Sequence, residues 1–488
     1  MKDIVRIIDD YCKNHGSFIP LEELESLWIR EHHRSHNAFL EQLYTTTSSE
    51  TLYAEGDRIY LKRVWQQEEY AAERLSTLLD AQPLPRSFLP YTLTVGDIIL
   101  TEEQRYAVAE CLSHRLTLLL AKAGSGKTTI AQAIVEYAGT DRFLLCSPTG
   151  KAAKNLIDHT GLPAATVHRT LGVKNISDFL AVETMEDIDL IIIDEGTMIT
   201  ADMLAGILRA ASEDCRIVII GDRNQLPAVG PGDVINDLVT LGFPCVSLTK
   251  NHRQCANSEA LRDNVLRFDS IYRHFAFKED GSFQCHYSED QDALMDALVE
   301  DAIARYYRGE PAQVLTLRNE DVLEINRRIQ ARVNPPVPCK HTLEAKHFTF
   351  TDGDRVILVG NDNRRCCYNG ETGILHLTGD GGFSVELEDG RCPEWPYYHA
   401  PNNIWPAYAI TIHRSQGSEY DSVLMYVPRC SACLLHRNSL YTGISRAKQQ
   451  LVLYANPKAV EFGLHTPPPA RRSALVEKTR LWQLSNAG

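Results

Sequence analysis

The stretch LTLLLAKAGSGKTTIAQAIVEYA, residues 116–138, places an apolar run, a glycine-rich turn and a helix-forming segment in immediate succession. Leu116–Leu120 is apolar at nearly every position, as expected of a strand buried on both faces. Gly124 and Gly126 allow successive backbone N–H groups to turn toward a polyphosphate, and a helix starting at Lys127 adds its partial positive charge. In this strand–loop–helix context Lys127 reaches the β- and γ-phosphates and Thr128 holds Mg²⁺, with Ser125 and Thr129 completing the cradle. The usual first glycine of the pattern is Ala121 here, whereas the GSGKT core is intact. The stretch therefore predicts a phosphate-binding loop in an α/β domain, with ATP and Mg²⁺ as cofactors.

Working outward, FLLCS (143–147), DLIIID (189–194) and CRIVIIGD (215–222) are further short apolar runs separated by helical segments, the pattern of a parallel sheet. A second set, QVLTL (313–317), DSVLMYV (421–427) and QLVLYA (450–455), predicts a second sheet domain. Between them, FTDGDRVILVG (350–360), NGETGILHL (369–377) and GGFSVELEDGR (381–391) carry Gly-Asp and Asp-Gly turns, predicting a small inserted β-barrel. At the N-terminus, three helical stretches precede the alternating TLYAEGDRIYLKRV (51–64), a winged-helix-like order. The expected division is 1–63 for this module and 64–95 for a helical connector. The first sheet domain takes 96–253, with a short insertion at 173–186, and the second takes 254–344 and 404–463. The barrel occupies 345–403, and 464–488 forms a basic tail.

At 488 residues the chain is too long for one core, and 44% hydrophobic with 23% charged residues excludes a disordered or fibrous protein. No apolar run approaches bilayer-spanning length and the N-terminus carries early charges, so a cytoplasmic location is expected, with no membrane partner. The thirteen cysteines read as reduced, mostly buried thiols; Cys430-x-x-Cys433 lacks a second pair at metal spacing.

Asp194 and Glu195 close a strand-like run 67 residues after Lys127. There one carboxylate can coordinate Mg²⁺ and the next can polarise the attacking water. Gln225, in the turn after the following strand, is placed to sense the γ-phosphate or hold the attacking water.

With GDRNQLPAVGPG (221–232) the chain resembles superfamily 1 DNA helicases, specifically the RecD-like ATP-dependent group, over about 64–460. TEEQ (101–104) is similar to the family's adenine-reading segment, with Gln104 facing the base. SPTGKAA (147–153) and ATVHRTLG (165–172) are similar to its strand-contacting motifs. LTKNHRQ (248–254) supplies Arg253, and LYTGISRAKQQLVLYA (440–455) supplies Arg446, matching the family's two arginine fingers. AYAITIHRSQGSEYDSV (407–423) is similar to its penultimate motif. DEGTM and HRSQG stand where the family usually has DEASM and HKSQG, with no ligand or charge lost.

The resemblance implies two RecA-like motor domains and 5′-to-3′ movement on single-stranded DNA, with unwinding of forked duplex. By motif position, Thr149, His168, Thr411, Ser415 and Gln416 contact the strand. A pin that splits the duplex would lie in Val173–Glu186, which is short. Alternatives are a translocase or protein-displacing ATPase with little unwinding, a non-motor subunit of a nuclease or defence assembly, and RNA remodelling. A nuclease or other repair or defence protein would bind through the N-terminal module. The formal net charge of −14 excludes a surface that grips phosphate everywhere, but 401–488 holds ten Lys+Arg against four Asp+Glu. This segregation predicts a narrow basic track there.

Overall fold

The computed structural model describes residues 2–48, 50–84, 89–249, 259–268, 276–338, 340–345, 347–362, 364–378, 381–399 and 403–486. The first sheet holds six parallel strands, in spatial order Cys245–Leu248, Leu116–Ala121, Arg216–Gly221, Leu190–Ile193, Phe143–Ser147 and Ala164–Thr166. Its apolar runs divide by alternation. Leu118, Ile193 and Ile219 join one core with the Ala201–Ala210 and Val234–Leu241 helices, while Leu119, Ile192 and Val218 join another with the Glu102–Ser113 and Lys127–Tyr137 helices. The second sheet is also parallel, ordered Phe283–Tyr287, Ala447–Ala455, Tyr420–Val427, Gln313–Thr316 and Ala409–Thr411.

Between the last two of these neighbouring strands the chain makes the insertion. A hairpin of Thr342–Glu344 with Thr349–Thr351 precedes an antiparallel sheet ordered Glu394–Pro396, Gly382–Leu387, Thr372–Leu377, Arg355–Leu358 and Ile404–Pro406. Phe350, Val356, Leu375, Phe383, Val385 and Trp395 form its separate core. The sequence puts re-entry into the second sheet domain at 404, but Ile404–Pro406 still pairs within the insertion.

The N-terminal module has helices Lys2–His15, Leu21–His32 and His36–Ser48, and Ile4, Ile8, Leu24, Trp28 and Phe39 are buried at its centre. Phe18–Pro20 adds a third strand to the hairpin of Leu52–Glu55 and Arg58–Leu61. Pro20 then starts the next helix, its fixed φ suiting the N-cap.

Three segments are packed into the fold more closely than their sequence reading conveys. The connector is one helix, Lys62–Asp80, whose Ala71, Ala72 and Leu75 lie in the core of the first sheet. The stretch 173–186 forms no hairpin. It makes a short 3-10 turn, Ile176–Ala181, with Phe179 buried against Gly206 and the His168 ring, because a large aromatic side chain at its centre is more stable covered than projecting. The 464–488 segment is docked rather than a free tail. Its Leu475–Asn486 helix buries Leu475 in the first sheet's core and Lys478 among Glu69 (3.0 Å), Glu68 (3.6 Å) and the Tyr60 and Trp65 rings. No helix among the described residues is long and apolar enough to cross a membrane. Cys12, Cys111, Cys146 and Cys215 are buried free thiols, whereas Cys366 and Cys430 are exposed.

Asp237, in the Val234–Leu241 helix, is buried with one carboxylate oxygen unpartnered. Burial pushes its carboxyl up to about 7, and hydrogen bonding from Ser473 offsets this only in part. The folded chain thus holds this proton more tightly than the unfolded one from pH ~4 upward, and stability declines as pH rises toward 7. Asp237→Asn should raise Tm by about 2–4 °C at pH 8 and leave it unchanged at pH 5 in paired thermal scans.

Candidate nucleotide site and the cleft between the two sheets

The loop Lys122–Gly126 leaves the Leu116–Ala121 strand and enters the Lys127–Tyr137 helix. Gly124 and Gly126 adopt φ of +81° and +84°, a region costly for residues with a Cβ. The Ser125 hydroxyl donates to the Lys122 carbonyl (2.7 Å) and braces the turn. Lys127, Thr128 and Thr129 occupy the first helical turn, whose amides lack intrahelical acceptors and suit an anion. Burial works to lower the Lys127 pKa, but the Glu195, Asp194 and Asp222 carboxylates outweigh it and hold the ammonium above its ordinary value. Gln104 is buried beside this loop. Its oxygen accepts from the Thr101 amide (3.0 Å) in a capping box, and its nitrogen lies 2.9 Å from where a Cβ on Gly126 would sit.

Asp194 and Glu195 end the Leu190–Ile193 strand and are both nearly buried. The Asp194 amide donates to the Cys146 carbonyl of the neighbouring strand, and the Glu195 amide donates to the Asp194 carboxylate (2.8 Å). Glu195 has φ +54°, so its side chain is held by a left-handed backbone costing about 1 kcal/mol or more. Gly196 follows because a Cβ there would lie 2.4 Å from Ile219 Cγ2, which accounts for glycine in DEGTM. Burial and the adjacent Glu195 push the Asp194 carboxyl up, with Lys127 opposing. Two buried carboxylates with the Thr128 hydroxyl are an incomplete, all-oxygen donor set. That chemistry fits Mg²⁺, which takes its remaining ligands from phosphate and water. No cluster of three or more His, Cys, Asp or Glu suited to an all-protein metal cage occurs among the described residues.

Asp222–Leu226, after the Arg216–Gly221 strand, faces the second sheet domain and is gripped by it. Asn438 Nδ2 donates to the carbonyls of Arg223 (3.1 Å) and Gln225 (2.9 Å). The Leu226 amide donates to Thr442 Oγ1 (2.9 Å), and Gln416 Nε2 donates to the Leu226 carbonyl (3.0 Å). The Tyr441 hydroxyl donates to Asp222 (2.6 Å) and accepts from the Ala123 amide of the phosphate loop (3.5 Å). Gln225, with its amide nitrogen toward Glu195 and its oxygen toward Arg446, lies 3.3 Å from each. Arg446 is itself buried, with Nε donating to the Thr442 carbonyl (3.1 Å) and Nη1 to the Ser418 carbonyl (3.1 Å). Lys127, Asp194, Glu195, Gln225 and Arg446 therefore converge on one cleft. Arg253 lies outside the described residues.

The five residues expected to contact DNA each make local contacts within the fold. Thr149 caps the Gly150–Thr160 helix through the Ala152 amide, and the Thr411 hydroxyl accepts from the Arg414 amide. Ser415 is fully buried, its hydroxyl donating to the Ile412 carbonyl (2.7 Å), and Gln416 serves the cleft as described. His168 is half-buried edge-on to Phe179 (5.1 Å), and burial holds its imidazole below the usual value. Several basic residues of 401–488, where a basic track is expected, are occupied within the fold, whereas Arg429 and Arg480 are exposed. Arg446 and Lys478 are buried, Arg414 stacks on Trp405 (4.2 Å), and Arg472 pairs with Glu23 (2.5 Å).

Asp222, Asn438, Tyr441 and Thr442 are site residues that the sequence reading did not single out. The signal was present: positions 438, 441 and 442 share one face of a helix at i, i+3 and i+4, within a segment otherwise marked only for Arg446.

A family model described as an AAA domain matches residues 99–283, and one described as a UvrD-like helicase C-terminal domain matches 406–454. The chain is 29% identical over 437 residues to the ATP-dependent RecD2 DNA helicase of Deinococcus radiodurans, covering 87% of this chain and 59% of that protein. It is thus similar to about three-fifths of that relative's length. It is 28% identical to the RecBCD enzyme subunit RecD of Mycolicibacterium smegmatis, covering 81% of this chain and 78% of that one. Among solved structures, a Bacteroides Pif1 bound to ssDNA aligns with 80% of this chain and 98% of that chain, at 20% identity and a TM-score of 0.48. The two parallel sheets are RecA-like in arrangement, with the phosphate loop of one facing the arginine of the other. By these comparisons and its ordered motifs, the chain is similar to RecD-like DNA helicases.

Proposed function

We propose that the protein is an ATP-dependent DNA helicase that couples hydrolysis between its two RecA-like domains to movement along single-stranded DNA. The observation that carries this reading is Gln225 held between Glu195 of one domain and Arg446 of the other. A site built this way is complete only when the cleft is closed, so hydrolysis and domain movement are one event. Lys127 and the amides of residues 127–129 hold the phosphates, Glu195 orients and activates water, and Arg446 neutralises charge developing on the transferred phosphoryl group. Thr128 and Asp194 would hold Mg²⁺, which when bound neutralises phosphate charge. Release after hydrolysis would loosen the polar bonds to Asp222–Leu226 and let the second domain swing away. The 5′-to-3′ direction follows from the family resemblance, and forked DNA is the expected substrate.

A translocase that separates duplex poorly is the second reading, favoured by the covered Phe179 turn where a pin would stand. The first test is strand separation on forked DNA with a 5′ or a 3′ tail. Unwinding from the 5′ tail is expected, with none for Lys127→Ala; strong DNA-stimulated ATP turnover without unwinding selects the second reading. Arg446→Ala should lower kcat for ATP by about 10³ while a fluorescent ATP analogue binds with little change. A matching loss of nucleotide affinity would remove Arg446 from its hydrolytic role.

A further inference from the structure

The loop that carries Gln225 continues past the cleft as Pro227–Gly232, and this part is held from outside the first domain. It has no helix or strand of its own, and Gly230 and Gly232 have φ of +153° and +94°, so its position depends on what it touches. The Gly230 amide donates to the carbonyl of Lys13, in the first helix of the N-terminal module (2.9 Å). The Arg471 guanidinium donates to the carbonyls of both Ala228 and Gly230. The facing acid is Asp233.

Arg471 arrives from the second domain. The Pro457–His465 helix belongs to that domain's core, and Pro467-Pro468-Pro469 then bridges stiffly to Arg471. The next residue is fixed to the N-terminal module. The Ser17 amide donates to the Arg472 carbonyl (2.7 Å), and the Arg472 amide donates to the His15 carbonyl (2.8 Å). Only glycine fits beside this crossing, because a Cβ on Gly16, at φ +118°, would lie 1.9 Å from the Arg472 carbonyl oxygen. The Arg472 side chain reaches Tyr11 and Glu23. Ser473 Oγ and the Ala474 amide then donate to Glu68, at 3.1 and 3.3 Å. One continuous loop therefore has the catalytic cleft at one end and, at Gly230, five residues beyond Gln225, a contact where both motor domains and the N-terminal module meet.

We propose that Arg471 is a positioning residue for ATP hydrolysis: by clamping Ala228 and Gly230 it holds Gln225 between Glu195 and Arg446, and it makes the N-terminal module a regulatory input to the ATP site. The inference rests on the ATPase reading above. A planar guanidinium can serve two carbonyls at once, which a lysine ammonium cannot do in the same fixed geometry. A partner bound to the N-terminal module would act by shifting Lys13 and Arg472, changing turnover rather than nucleotide affinity.

The test compares the full-length chain with Arg471→Ala and Arg471→Lys, using steady-state ATP turnover, binding of a fluorescent ATP analogue, and hydrogen exchange resolved to peptides. For Arg471→Ala, kcat should fall at least about tenfold with the Kd for the analogue within about twofold, and Arg471→Lys should recover only part of the loss. Amides of 226–232 should exchange at least about tenfold faster, while those of the Lys127–Tyr137 helix stay unchanged. Unchanged kcat despite faster loop exchange would overturn the positioning role. So would a parallel fall of kcat and affinity with faster exchange throughout, which marks a merely structural arginine. A wild-type chain that turns over no ATP would sink the ATPase reading instead, and unchanged exchange at 226–232 would then separately sink the clamp.

Discussion

Asp222–Leu226 belongs to one RecA-like domain by chain connectivity and to the other by hydrogen bonds. Asn438, Thr442 and Gln416 satisfy its backbone, and Tyr441 ties Asp222 to the phosphate loop. Backbone groups buried in such a cleft need partners, so the two domains cannot meet without these bonds or water in their place. The geometry of the nucleotide site is downstream of that requirement. Gln225 is brought between Glu195 and Arg446 because the residues on either side of it are already held. The strained Glu195 backbone fits the same picture, since a left-handed residue persists only where its surroundings fix it.

Two lysines sit among clustered carboxylates at junctions of the fold. Lys127 is a cation facing three carboxylates, and Lys478 is another, enclosed by acids from the N-terminal hairpin and the Lys62–Asp80 helix. Such buried ions are costly to desolvate and very costly to leave unpaired. Their locations mark junctions, one between nucleotide and protein and the other between the C-terminal helix and the N-terminal third.

What was legible in the sequence follows from how local each feature is. The phosphate loop is strand, turn and helix within about twenty residues, and Asp194-Glu195 ends a strand whose burial shows in four consecutive apolar residues, so both could be read directly. The strand-contact residues were harder, because serine and threonine cap helices and close turns with the same hydroxyl that would touch phosphate. Thr149, Thr411 and Ser415 are engaged in that way. The triple proline at 467–469 reads only as part of a basic tail. Its role as a bridge depends on Gly16 and on two carbonyls more than 200 residues earlier, which no periodicity reports. The packing of Val173–Glu186 was out of reach for a related reason: nothing in so short a stretch shows that its one aromatic residue, Phe179, will find Gly206.

The insertion leaves the second sheet after Gln313–Thr316 and returns at Ala409–Thr411, and those two strands lie side by side in register. Its entry and exit are therefore neighbours, with Asn326 bonded to both the amide and carbonyl of Ala409 to seal the seam. A cassette attached at one point can grow, shrink or be exchanged over generations without altering the strand pairing beneath it. The surface of the insertion can thus change while the hydrolytic cleft stays as it is.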